Sequence, residues 1–269
     1  MSNVLVVLTN WSRPANLPVI IQAFKRQTVS VDIVCIDNSH VDAMGLGSVG
    51  VETWRVPRNL GPPCRFVPAA ADVGHEFVLF FDDDMVPGPS AVDGLLKCAA
   101  DCHGKFATIG QIGRRFGSRR RGSILRYRRL NSPRLPRHLC PCDMTCRAHF
   151  VRREAVVHAL AFRELLIARK RADCLVHVGI HDDILLCQGA QLATGWPSYL
   201  IPIGAAEYDL NVCELDDSNA LNHRRRSHVQ ERHDLANWSV ELGWKSLWKD
   251  CWLEMLKTLS PSDAQEVPQ

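Results

Sequence analysis

Along the first hundred residues, apolar runs and turn residues alternate in a pattern that predicts strands and helices in turn. Residues 3–9 are nearly all Val and Leu, the continuous pattern of a strand buried on both faces. Pro14 suits the first turn of a helix, and Leu17, Ile20, Ile21 and Phe24 repeat behind it at helical spacing. Segments 31–36, 51–56 and 77–81 read as further strands, and 89–102 as a helix. Strand and helix alternating over short links predict an α/β domain on a mostly parallel sheet. In such sheets ligands collect at the carboxyl ends of the strands. Three polar segments fall there: Thr9 to Arg13, Asp37 to Ser39, and Asp82 to Asp84.

Beyond residue 102 the pattern changes. Segment 106–112 is strand-like, and an arginine-rich stretch follows to residue 138. Its Gly113, Gly117, Gly122, Pro133 and Pro136 predict a long loop able to fold as a hairpin. Segments 150–166 and 181–193 read as helices, the second entered through His181-Asp182-Asp183, and 197–202 as extended. A last helix is expected over 241–259, with Trp244, Trp248, Trp252 and Leu256 four residues apart. The expected organisation is one domain over 1–204 with a basic insert at 113–138. A loop and helix over 205–259 pack on it, and a flexible tail covers 260–269.

Hydrophobic residues make up 46% of the 269 and charged residues 23%, which excludes a mostly disordered or collagen-like chain. No run approaches ~20 apolar residues, so no membrane-spanning helix is expected. Met1-Ser2-Asn3 and the short apolar run after it do not read as a secretion signal. The eleven cysteines are therefore expected as reduced thiols in a cytoplasmic protein. Net charge is only +3, yet residues 102–142 hold Lys105, ten arginines and no acid, a charge of +11 that leaves −8 for the rest. Such asymmetry points to a polyanionic partner, with a solvated loop as the plainer alternative.

Asp82-Asp83-Asp84 directly follows a buried strand. Adjacent like charges repel, so the cluster calls for a cation; alternate carboxylates suit Mg²⁺ or Mn²⁺, which can also bridge phosphates. An acidic turn or helix cap is the other reading. With its neighbours the cluster resembles the nucleotide-sugar glycosyltransferases of the GT-A fold, in family 2 and exostosin-like versions, over most of residues 3–204. The carrying motifs are Thr9-Asn10-Trp11-Ser12-Arg13-Pro14, Ile36-Asp37-Asn38-Ser39, Asn59-Leu60-Gly61 with Arg65, and the aspartates 82–84. Further on come Met144 to Glu154 and His181-Asp182-Asp183-Ile184. The pattern departs from relatives at Trp11-Ser12, in the base-contacting loop, and at Cys146-Arg147, where a small residue is usual.

The resemblance implies donor binding by Thr9, Arg13, Asp37, Asn38, Asn59, Arg65, Asp82 and Asp83. It also implies Mn²⁺ or Mg²⁺ held by Asp82 and Asp84, with His223 completing the metal site and Arg224, Arg225 and Arg226 near the diphosphate. A solvated charged loop beyond the sheet is an equal reading of that stretch and of His228 and His233 after it. Asp183 is the implied carboxylate beside the acceptor hydroxyl, acting as general base in an inverting enzyme, with Asp182 beside it. Both could equally cap a helix. Cys140, Cys142, Cys146 and His149 are of zinc-binding type, but their spacing fits no standard zinc motif, which favours plain thiols. For the acceptor, Arg114, Arg115, Arg119, Arg120, Arg121, Arg126, Arg128 and Arg129 point to nucleic acid, with Phe116 and Tyr127 placed to stack on bases. By analogy with the glucosyltransferases associated with TET/JBP oxygenases, the expected reaction moves glucose from a UDP-sugar to a hydroxymethylated base in DNA, of the 5-hydroxymethylcytosine type, reached by base flipping. A saccharide or lipid-linked acceptor, presented at a membrane by the tryptophan ladder, is the first alternative. A non-catalytic nucleic-acid-binding protein is the second.

Overall fold

The structure is a computed structural model and describes residues 2–39, 50–118, 125–131, 139–170, 175, 177–201, 208–217 and 227–247; for 117–118, 125–131, 170 and 228 it describes backbone only. In chain order the first half comprises β1 (Val4–Asn10), α1 (Leu17–Lys25), β2 (Asp32–Asp37), β3 (Glu52–Arg55), a 3-10 turn (Pro62–Arg65), α2 (Phe66–Ala71), β4 (Phe77–Phe81), β5 (Met85–Val86) and α3 (Ala91–Asp101). Next come β6 (Ile109–Gly110), β7 (Ile112–Ser118), β8 (Leu125–Asn131), β9 (Cys140–Cys142), β10 (Met144–Cys146) and β11 (Ala148–Arg152). The chain continues with α4 (Arg153–Lys170), α5 (Asp182–Thr194), β12 (Ser198–Leu200), β13 (Cys213–Glu214) and α6 (His228–Glu241).

An eight-stranded sheet in the order β3-β2-β1-β4-β11-β6-β12-β9 forms the middle layer. The first four strands are parallel, β6 and β12 are parallel, and β11 and β9 run against their neighbours. This is the mostly parallel, helix-flanked α/β sheet expected from the sequence. The apolar runs of β1 and β4 face both ways, as continuous hydrophobic strands must. Leu5, Val7, Val78 and Phe80 join the core under α2, α4 and α5, whereas Val4, Val6, Leu8, Leu79 and Phe81 join that under α1 and α3. Among the described residues, no helix is long and apolar enough to cross a membrane.

Three local expectations are corrected. Segment 150–166 begins as strand, because Ala148, His149, Phe150 and Val151 are all buried beside β4; its helix starts only at Arg153. The expected last helix does not start at 241. A helix ends there, Gly243 takes φ 98°, and the Trp244 amide bonds back to the Ser239 carbonyl at 2.9 Å, so the chain leaves the helical path. Trp248, Trp252 and Leu256 lie outside the described residues. The helix that does form, α6, occupies a stretch read as charged loop.

A smaller sheet carries the basic insert. There β7 pairs with β10 on one side and β8 on the other, all antiparallel, so the described parts of the arginine-rich segment, 113–118 and 125–131, form a hairpin-like strand pair. Its base is fixed by Asp143, which is fully buried and accepts from the Phe116 amide at 2.6 Å and the Ser246 hydroxyl at 2.8 Å.

At the opposite end of the main sheet, His75 lies between two carboxylates, 2.9 Å from Asp32 and 2.9 Å from Asp72. Partial burial opposes its protonation, but the two carboxylates outweigh it and raise the imidazole pKa. A raised folded-state pKa stabilises the protein fully below the unfolded value of 6.5, and that stability is lost as pH rises through the folded value. We predict that the unfolding free-energy gap between wild type and His75→Gln is larger at about pH 5.5 than at about pH 8.5. Urea unfolding at both pH values checks this, and an equal gap contradicts the assignment.

Candidate active site

Because β1, β2 and β4 run parallel, their carboxyl ends share one edge, which gathers Asn10, Asp37 and Asp82 there. A turn after β4 adds Asp83 and Asp84, and the start of α5 adds Asp182 and Asp183. Of the five aspartates at positions 82–84 and 182–183, all but Asp82 are buried. Unpaired, such a cluster would cost several kcal/mol per charge. Four arginines answer it. Arg65, on the turn before α2, is itself buried and bridges Asp82, at 3.0 Å, to Asp182. Arg13 pairs with Asp83 and lies 3.3 Å from Asp84. Arg147 lies 3.4 Å from Asp84, and Arg232 on α6 pairs with Asp183.

Compensation is incomplete. Asp82 is half-buried, and its desolvation by the surrounding protein, joined by Asp84, Asp182 and Asp83, lifts its pKa to about 7 despite Arg65. Burial and Asp84 likewise lift Asp83 to about 6 against Arg13, and Asp182 is raised by burial and Asp183. These raised values come first from burial and then from the neighbouring carboxylates. One carboxylate oxygen, Asp84 Oδ1, is buried with no hydrogen-bond partner. The donor set thus fits a divalent cation held by Asp84 and Asp82. Among the described residues, no group of three or more His, Cys, Asp or Glu side chains could hold a metal. Two carboxylates with the rest of the shell left to phosphate and water is the usual arrangement for Mg²⁺.

The other expected donor residues form an adjoining layer. Asp37 accepts from Asn10 at 3.1 Å, from Ser39 at 2.6 Å and from Arg55 at 3.2 Å. Asn38 donates to Asn59 at 3.0 Å and accepts from the Leu60 amide at 2.8 Å. Those bonds shape the turn into Arg65. At its apex Gly61 has φ 75°, and a Cβ there would run into the Gly179 carbonyl. The Thr9 hydroxyl is buried and unpartnered.

Opposite this layer, α5 presents Asp182 and Asp183 from its first turn. It is set by close packing on α4, where a Cβ on Gly189 would stand 3.0 Å from the Ala159 Cα. Helix α6 holds the same turn from outside. Glu231 lies 3.1 Å from His181 Nε2, both buried, one residue from the Arg232–Asp183 pair.

Nothing in the sequence pointed to Arg232, Glu231 or Glu214, and Arg147 stood out in it only as a departure. Among the expected acceptor residues, Arg114 lies opposite Met144, at the strand that leads into the site. Backbone register places Arg129 opposite Arg114, Arg128 opposite Arg115, and Arg126 opposite Gly117. Arg119, Arg120, Arg121, His223 and Arg224–Arg226 lie outside the described residues. Cys140, Cys142 and Cys146 are buried thiols; burial pushes Cys140 up to about 12 and Cys146 to about 11. His149 bonds Thr145 at 2.7 Å, and burial lowers its pKa to about 3.

No protein-family model and no curated protein matches the chain. Among solved structures, S. aureus TarS aligns over 75% of this chain at 14% identity and a TM-score of 0.49. Its 1–349 fragment aligns over 74% at 13% identity with a TM-score of 0.45, and the same fragment in complex with UDP over 75% at 14% and 0.49. This chain spans 37%, 60% and 61% of those chains respectively.

Replacing Arg65 with Met should leave Asp82 and Asp182 facing each other without their shared cation. We predict a loss of about 3–5 kcal/mol of stability, the scale for breaking a buried ion pair from one side. Denaturant unfolding checks it, and a loss below about 1 kcal/mol would show that the bridge is not what holds α5 to the strand end.

Proposed function

We propose that the chain is a metal-dependent glycosyltransferase that takes its sugar from a nucleoside-diphosphate sugar. The observation that carries this reading is the meeting of Asp82–Asp84 and Asp182–Asp183 across Arg65 at the carboxyl ends of buried parallel strands. One carboxylate group then serves the diphosphate side and the other the acceptor side, as the GT-A resemblance implies.

In this reading Asp37, Asn38, Asn59 and Thr9 line the nucleoside end, with UDP the expected nucleotide. Arg13 and Arg65 neutralise phosphate charge. Mn²⁺ or Mg²⁺ on Asp82 and Asp84 supplies electrostatic stabilisation of the leaving diphosphate. The acceptor oxygen attacks the anomeric carbon as its proton passes to Asp183, and the bond to the diphosphate breaks with its electron pair leaving on oxygen. For that, Asp183 must exchange its pairing with Arg232 for a hydrogen bond from the acceptor hydroxyl.

The hairpin favours a polyanionic acceptor. Backbone register sets Arg129 opposite Arg114 and Arg128 opposite Arg115, so arginine positions concentrate in one strand pair. The phosphates of duplex DNA are a polyanion suited to such a concentration. A hydroxymethylated base, with glucose as the expected sugar, supplies the alcohol that ordinary bases lack.

Asp84→Asn should abolish turnover with the fold retained, and EDTA should silence the wild type. Asp183→Asn should slow the chemical step by roughly 10²-fold or more with donor affinity little changed. Single-turnover kinetics separate these effects; collapse of donor binding with intact chemistry would reassign Asp183.

Replacing Arg126, Arg128 and Arg129 together with Ala should weaken duplex binding and flatten its log–log salt dependence, by up to about 0.9 for each phosphate no longer neutralised. In a labelled-donor assay, sugar should enter DNA bearing 5-hydroxymethylcytosine and not unmodified DNA. Incorporation only into oligosaccharide or lipid acceptors would move the assignment to that acceptor class.

A further inference from the structure

We propose that Arg147 is the residue that grips the donor's diphosphate as it departs, releasing Glu214 to do so. The proposal rests on the glycosyltransferase reading above and adds to it a group outside the donor-binding residues that the resemblance implies.

Arg147 sits at the joint where the chain passes from β10, in the hairpin sheet, to β11, in the main sheet. It turns that corner with φ 68°, a left-handed conformation that glycine adopts freely and arginine does not. The backbone there is tied to the site, since the Arg147 carbonyl accepts the Asp82 amide at 2.9 Å. A strained corner is most simply filled by glycine, so an arginine at this point makes sense through its side chain. That side chain reaches over the aspartates to within 3.4 Å of Asp84 Oδ2, beside the unpartnered Oδ1.

The same fork is occupied by an anion, with Nη2 facing both Asp84 and Glu214. Nη1 and Nη2 each lie 2.8 Å from one oxygen of Glu214, a two-point pairing. Guanidinium pairs with phosphate through the same fork, so the Glu214 carboxylate marks where two phosphate oxygens fit. The partners differ in how firmly they are held. Glu214 belongs to the two-residue strand β13, and 59% of its side chain is exposed, whereas Asp84 is buried. Glu214 also accepts from Asn211 at 2.6 Å, a bond it can keep on leaving Arg147. An exposed carboxylate gives up an ion pair at small cost, so a diphosphate seated at Asp82 and Asp84 displaces Glu214 rather than Asp84. During transfer the sugar–phosphate oxygen bond breaks with its electrons leaving on the diphosphate. Arg147 then meets the added charge with two N–H donors and gives up no proton.

The test is calorimetric titration, with Mn²⁺ present, of wild type, Arg147→Gly and Glu214→Gln. The probes are UDP, GDP, ADP, CDP and dTDP, and then the monophosphate matching the tightest of these. Glycine suits φ 68°, so Arg147→Gly is expected to keep the fold, which its thermal midpoint verifies. We expect Arg147→Gly to weaken the diphosphate by about 10-fold or more and the monophosphate much less, the scale of lost charge-assisted hydrogen bonds. Glu214→Gln should act in the opposite direction, tightening the diphosphate by about 2- to 5-fold as a competing ion pair is removed. A folded Arg147→Gly protein that binds the diphosphate like wild type, or a Glu214→Gln protein that does not bind it more tightly, overturns the role of Arg147 alone. Wild type that binds none of the five diphosphates overturns the glycosyltransferase reading, and this proposal with it.

Discussion

Five aspartates crowd the end of one buried strand and the start of one helix, and the surrounding structure is arranged to deliver cations to them. Arg65 is the centre of that arrangement. Buried itself, it joins Asp82 on the sheet to Asp182 on α5, so the ion pair fixes the distance between two halves of the cleft. Three further segments around the cleft contribute counter-charges: Arg13 after β1, Arg147 between β10 and β11, and Arg232 on α6. Burial of such a set is seldom favourable for stability alone, because desolvation consumes most of the Coulombic gain. Clustered carboxyls with raised pKa values point to a binding cleft rather than a stability role.

Much of this was legible in the sequence because it depends on local signals. The apolar runs of β1 and β4 and the polar residues that end them located the strand edge, and the aspartate pair after His181 located the start of α5. Helix α6 was not legible. Its inward positions are Glu231, Leu235, Ala236 and Ser239, so half of the buried face is polar and the helical repeat of apolar residues is missing. Besides local bonds from Ser227 to Glu231 and from Ser239 to the Leu235 carbonyl, those polar residues depend on partners far along the chain, Glu231 on His181 and Ser239 on Gln188. Arg147 was hidden for a different reason, since a positive φ on a non-glycine residue leaves no mark in composition or spacing. The Phe150 strand read as helix because a five-residue buried strand running straight into α4 offers no turn residue between them.

The basic insert shows the opposite balance of charge. In the cleft, Asp83, Asp84, Asp182 and Asp183 each meet an arginine, whereas backbone register in the hairpin sets arginine positions opposite one another. The hairpin is nonetheless anchored to the cleft, through β10 and through Asp143 at its base.

The central claim is that the arginine-bridged aspartate cleft holds a nucleotide sugar. Incubating the protein with a panel of nucleotide sugars and Mn²⁺ or Mg²⁺, without acceptor, and measuring the nucleoside diphosphate released tests it most directly. Slow hydrolysis of one donor in preference to the others, lost on removal of the metal, is the predicted result. Absence of hydrolysis with every donor, together with absence of binding to any of them, would contradict the account.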